Sequence, residues 1–241
     1  MTEANVFDFD DDIQESEERV GGFSLLASNI HKLRITQAYM ILSKNGAKGV
    51  VIDAETPEGH KHSQTFYITN KSGQPYYVKD GKKNMLPSMV TINNLAKLLG
   101  FKNFGEVYNA RVKKAGTIFD WESRKEITKE VEMLTKFCGK IVAAAIVHRK
   151  ENKNKLVGKE YKPTNEAREF NEILVFLDKK TNRTATELAE NADAKYAADF
   201  LSKYENQVDD RFKPVEEDFE DMAASGVDPL ATDNEDDDDF L

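Results

Sequence analysis

The chain has 241 residues, enough for one large domain or two small ones around a sizeable core. With 32% charged and 39% hydrophobic residues, and no apolar run near the roughly 20 residues that cross a bilayer, the composition excludes a helical membrane protein. The net charge of −9 is unevenly placed: residues 1–18 carry eight acids and no base, residues 205–241 carry fifteen acids against Arg211 and Lys213, and residues 19–204 hold 32 bases against 20 acids, a net of +12.

The N-terminal stretch lacks the basic-then-apolar order of a signal peptide, so a cytoplasmic protein with an acidic flexible arm over 1–20 is expected. Structure is predicted to begin near Gly21 and Gly22. Residues 33–42 read as a strand with Leu33, Ile35, Tyr39 and Ile41 on one face. Ser43, Lys44, Asn45 and Gly46 supply a turn, and a second strand covers 47–54. The third, 63–69, alternates: Phe66 and Ile68 on one face, Thr65, Tyr67 and Thr69 on the other. A polar loop over 70–87 holds Tyr76, Tyr77, Lys71, Lys79, Lys82 and Lys83. Ser88 can cap a helix whose Met89, Ile92, Leu95, Ala96 and Leu99 keep helical spacing up to Gly100.

Short helical pieces are expected at 106–113 and 125–136. Cys138, the only cysteine, excludes an internal disulfide and a cysteine-based zinc site; between Phe137 and Gly139 it reads as a small core residue. Residues 140–149 form a strand that looks buried on both faces, 150–168 a long basic connection, and 170–177 a fifth strand. Thr184 and Glu187 form a capping box that opens a helix reaching Tyr204. Beyond Val208 the composition is acidic and poor in apolar residues, which predicts disorder over 209–241.

Three strands, a helical insert, two strands and a helix describe a β-rich α+β fold, in the order of an OB-fold-like five-stranded Greek-key barrel with a helical insert and a C-terminal helix, over 21–208. Such barrels bind ligands across strands 2 and 3 and the loops joining strands 1–2 and 4–5. Here those segments are among the most basic of the chain, the pattern of a polyanion binder rather than of an evenly lysine-coated surface.

Holding a single strand without reading its sequence needs cations along the phosphates and flat rings beneath the bases. Lys44, Lys48, Lys71, Lys82, Lys83, Arg149 and Lys150 are the candidate phosphate contacts. Tyr67, Tyr76, Tyr77 and Trp121 are the candidate stacking rings, and a core anchor in the helical insert is the competing role for Trp121. The chain closes on Asp236, Asp237, Asp238, Asp239, Phe240 and Leu241. A solubilising end explains the acids but not the apolar tip, which suits docking in a partner's pocket or in the protein's own basic cleft.

A basic OB-type body with an acidic tail ending in an apolar tip resembles the single-stranded DNA-binding proteins of bacteria and their phages. The stretch 38–99, with Ser43-Lys44-Asn45-Gly46-Ala47-Lys48-Gly49, Tyr67-Ile68-Thr69-Asn70-Lys71-Ser72-Gly73 and Ile92-Asn93-Asn94-Leu95, is similar to phage replication and recombination proteins of that kind. The resemblance implies non-sequence-specific binding and protection of single-stranded DNA. It also implies that Asp236 to Phe240 recruit a polymerase, primase, helicase or nuclease. Both a monomer and a homo-oligomer accord with it. Strand annealing, or an acidic DNA mimic that blocks a host factor, are the alternatives. No enzyme and no cofactor are expected: His31, His60, His62 and His148 are scattered, no phosphate-cradling Gly-Lys-Ser/Thr loop occurs, and Asp120, Glu122 and Lys125 lack a strand pattern to align them as a nuclease site.

Overall fold

The computed structural model describes residues 25–120, 125–158 and 160–215. Strand β1 (Asn29–Leu42) is the spine. One edge pairs antiparallel with β2 (Lys48–Glu55), which pairs in turn with β3 (Lys61–Tyr67). Along its other edge β1 takes three partners in succession. Residues 29–34 pair with β8 (Ile141–Val157), Ile35 and Ala38 bond the 134–140 turn, and Tyr39 pairs with Met133 of β7 (Lys125–Met133). An irregularity between Ile35 and Gln37 marks where β1 changes partner. β8 carries β9 (Glu160–Leu177) antiparallel on its far edge, and β7 carries β6 (Val112–Asp120). A short β10 (Val208–Asp210) joins β8 in parallel, and β4 (Tyr76–Lys79) with β5 (Lys82–Met85) forms a separate two-stranded sheet.

The sheet curls but does not close. β3 and β9 share no ladder; the Gln64 carboxamide bridges them instead, donating to the Ile173 carbonyl at 3.2 Å and accepting from the Ile173 N–H at 2.7 Å. Phe66 meets Phe176 beside this bridge, ring centroids 5.8 Å apart. Leu33, Ile35, Val50, Ile52, Phe66, Val142, Ala144, Ile146, Ile173 and Phe176 line the inside of the curl. Helices α1 (Pro87–Leu98) and α2 (Phe104–Asn109) plug it with Ile92, Leu95, Ala96, Phe104 and Val107. β8 is buried from Val142 to Val147, as its unbroken apolar run predicts, because Ala143 and Ala145 on its second face meet Phe200 of α4 (Lys195–Tyr204). A third cluster, Tyr39, Val51 and Met133 with Ile118 and Val131, forms where the β6–β7 ribbon lies across the β1–β2 face.

Several elements differ from expectation. Helix α1 starts at Pro87 rather than after Ser88, since proline's fixed φ suits the first helical position. The 70–87 loop contains the β4–β5 hairpin, turned by Asp80 and Gly81, both at positive φ. Residues 125–136 are not helical: β7 holds Ile127, Thr128 and Val131 extended against β6. The stretch around Asp120 and Lys125, read as lacking strands, is therefore a ladder in which these two residues face each other; Glu122 lies outside the described residues. The connection 150–168 is not a loop but the distal half of a β8–β9 arm.

The helix expected over 185–204 is two, α3 (Ala185–Ala189) and α4, broken where Asn191 takes a positive φ. The capping box stands, and Glu187 serves both: it accepts from the Thr184 N–H at 2.7 Å and the Tyr196 N–H at 2.8 Å. Order also runs past 208. β10 contains Asp209 and Asp210, and the described chain continues to Val215.

Candidate nucleic-acid interface

The β1–β2 turn and the segment after β3 fold against one another. Gly46 sits at φ +84°, where a side chain would be strained, and a Cβ there would stand 3.4 Å from the Lys71 carbonyl oxygen. Lys48 links the two segments: its carbonyl accepts from the Ile68 and Thr69 N–H groups, and its own N–H donates to Thr69 Oγ1 at 2.8 Å. Asn70 then holds the 70–74 turn by accepting from the Ser72 and Gln74 N–H groups. These bonds bring the backbones of Lys44, Lys48 and Lys71, widely separated in sequence, to one end of the sheet, with all three side chains exposed.

Tyr67 lies beside them at the end of β3, 48% exposed, directly opposite Gly49 of β2. By the two-residue alternation it shares a face with Ser63 and Thr65, and the β6–β7 ribbon covers Val51 on that face but leaves Thr65 and Tyr67 exposed. Gly49 leaves no side chain over the neighbouring ring. A Cβ there would meet Ile41 at 3.0 Å and Thr65 at 3.2 Å, so even alanine crowds the floor.

Tyr108 was not singled out from the sequence, yet the ring stands within 6.0 Å of Lys48 Nζ and carries the Arg111 guanidinium at 3.9 Å. Arg111 also pairs with Glu132 at 3.1 Å, which offsets part of its charge. The signal was a Tyr-x-x-Arg spacing at the end of α2, too common to mark a site.

Tyr76, Tyr77, Lys82 and Lys83 belong to the β4–β5 hairpin. The Lys83 ammonium sits 4.8 Å from the Tyr76 ring centroid, so that ring already holds a cation, whereas Tyr77 presents its side chain to solvent. The base of the hairpin is closed where the Leu86 N–H donates to the Pro75 carbonyl at 3.0 Å.

Arg149 and Lys150 do not join these groups. Arg149 is 8% exposed; its guanidinium bonds Glu172 and donates to Asp209 Oδ2 at 3.1 Å, so it is a structural cation and not a phosphate contact. Lys150 pairs with Asp210 at 3.6 Å and lies 5.9 Å from the Phe212 ring. Both partners come from the acid-rich segment expected to be disordered. Trp121 and the tip Asp236, Asp237, Asp238, Asp239 and Phe240 lie outside the described residues, as does the acidic arm 1–20.

Under the β6–β7 ribbon, Asp53 accepts from Ser63 at 2.5 Å and Gln37 at 3.2 Å. Burial, and to a lesser degree the nearby Glu126 carboxylate, raise its pKa despite these bonds. Burial and then Asp53 push the Tyr39 phenol up to about 12. Burial lowers the pKa of His62, whose Nε2 lies 3.3 Å from Gln64 Oε1. Among the described residues no group of three His, Cys, Asp or Glu is placed to hold a metal ion, and no helix is long and apolar enough to cross a membrane. No protein-family model matches the chain, and no curated protein matches it.

Proposed function

We propose that the chain binds single-stranded DNA without sequence specificity on an OB-type body, and that it serves phage replication or recombination with its acidic tip recruiting the partner enzymes. What supports the OB-type reading is the antiparallel pairing of β1 with β2 and β8, of β2 with β3 and of β8 with β9, with α1 among the elements between β3 and β8. The observation that carries the reading is the convergence of Lys44, Lys48 and Lys71 beside an exposed Tyr67 whose cross-strand partner is a glycine. The cations track phosphates and the ring receives a base, as sequence-independent binding requires. Tyr77 and Lys82 on the β4–β5 hairpin extend the same chemistry along the chain.

The test is a titration of the full chain with oligo-dT at several salt concentrations, followed by fluorescence. Affinity falls as salt rises, with a slope of about −0.7 per phosphate neutralised. Tyr67→Ala weakens binding about tenfold, within the roughly 1–3 kcal/mol of a base–aromatic stack, and leaves the melting temperature unchanged. Lys71→Ala lowers the slope by about 0.7. Salt-insensitive binding, or a Tyr67→Ala chain that binds as well as the parent, overturns the reading.

A further inference from the structure

β3 and β9 run parallel, since each is antiparallel to a strand, β2 or β8, that is itself antiparallel to β1. They meet where Gln64 bridges to Ile173 and Phe66 packs on Phe176. Toward the N-terminal ends of both strands the seam opens into a cavity of about 390 Å³. His60–Ser63 line it from β3, Glu169–Asn171 from β9, and Leu25 and Leu26 complete the lining.

Ladder alternation decides which backbone groups face this cavity. The Ile68 N–H donates to the Lys48 carbonyl and the Thr56 N–H to the His60 carbonyl, so even-numbered residues of β3 turn their N–H and C=O toward β2. Those of Lys61 and Ser63 therefore point into the seam. On β9, Ile173 commits both its groups to the Gln64 carboxamide, and the register runs unbroken from there to Glu169. The groups of Asn171 and Glu169 thus point into the seam as well. Among the described residues the N–H and C=O groups of these four residues have no hydrogen-bond partner. Elsewhere single carboxamides take both groups of one extended residue: Gln64 on Ile173, Asn171 on Leu26, Asn152 on Lys213 and Asn165 on Val215. In the cavity two strand edges face each other with no such amide between them, an arrangement that suits the backbone of another strand.

The side chains around the slot are of two kinds. Leu26 belongs to the core and presents an apolar surface on the inner side. On the outer side Lys61 is exposed, whereas the Glu169 carboxylate is already bonded to His148 Nε2 at 2.9 Å, so the rim offers a cation.

We propose that the seam is a docking slot for an extended acidic peptide of a partner protein. The peptide adds as a strand between β3 and β9, antiparallel to both, over about three residues or about 10 Å. An apolar side chain of the peptide rests on Leu26 and an acidic one lies beside Lys61. Charge complementarity at Lys61 selects the acidic sequence. The docking is independent of what Tyr67 and its neighbouring lysines bind.

The probe is an acetylated and amidated heptapeptide of alternating glutamate and valine, titrated into the full chain labelled with nitrogen-15 while the backbone amide resonances are followed. The amides of Lys61, Ser63, Glu169 and Asn171 shift saturably and their hydrogen exchange slows. The same peptide N-methylated at its central residues binds about tenfold more weakly, the loss expected for a missing hydrogen bond. Lys61→Glu, a change at an exposed site, weakens the parent peptide about fivefold. Four amides that ignore the peptide, or equal binding of the N-methylated form, overturn the proposal. So does a response of these amides to oligo-dT and not to the peptide, which assigns the cavity to nucleic acid. Amides that are protected without peptide and lose that protection on deletion of residues 1–24 overturn it too, since the chain then fills its own slot.

Discussion

Arg149 shows how residue-level reasoning misplaces a charge. In sequence it begins a basic stretch. In the fold it is buried between Glu172 and Asp209, partners 23 and 60 residues away that no local pattern announces. Removing one partner of a buried pair leaves the others uncompensated, so Arg149→Ala lowers stability by about 3 kcal/mol in denaturant unfolding. Lys71→Ala, exposed at a turn, changes it by less than about 0.5 kcal/mol. Tyr67 was legible because strand alternation alone puts its ring opposite the Phe66 face. His62 gives a pH signature. Its pKa is lowered in the folded chain, so the unfolded chain binds the extra proton as pH drops below about 6.5, and stability falls there. Asp53 acts in the opposite sense, since its raised pKa favours the fold as pH falls toward the ordinary carboxylate value. The loss of melting temperature between pH 7 and 5 is therefore smaller in His62→Gln than in the parent chain.

At the scale of elements, periodicity sufficed where one face is buried and failed where an element projects. β1, β2, β3, α1 and the core of β8 appear in the sequence because each must hide an apolar stripe. β7 and the arm were obscured because most of their residues are exposed, and alternating Lys and Glu satisfy helix and ribbon equally well. The Asp80-Gly81 pair was a readable hairpin signal that passed as loop composition. The β3–β9 edge was illegible, since a bridge by one side chain has no period. Gln64→Ala would strand the Ile173 N–H, which is nearly fully buried, and costs about 1–3 kcal/mol in chemical denaturation.

Across the whole molecule, the segregation of charge was legible before any element was placed, but not where the acidic end begins. A chain cut at residue 208 loses β10 and the Asp209 carboxylate that Arg149 needs, so its destabilisation would mask any effect on binding. A chain ending at Val215 keeps β10 and Asp209. It binds oligo-dT more tightly than the full chain at low salt, with the difference vanishing as salt screens the acids; equal affinity at low salt removes self-competition by the tail. The Gln64 bridge has a consequence for heat. Among the described residues the strand bearing Tyr67 is laddered on one side only and held on the other by the Gln64 amide and the Phe66–Phe176 contact, so it is expected to be the first part of the curl to peel away on warming. If the proposed function holds, capture of oligonucleotide is lost several degrees before the helices unwind, and a bound strand that bridges Tyr67 to its neighbours closes that gap.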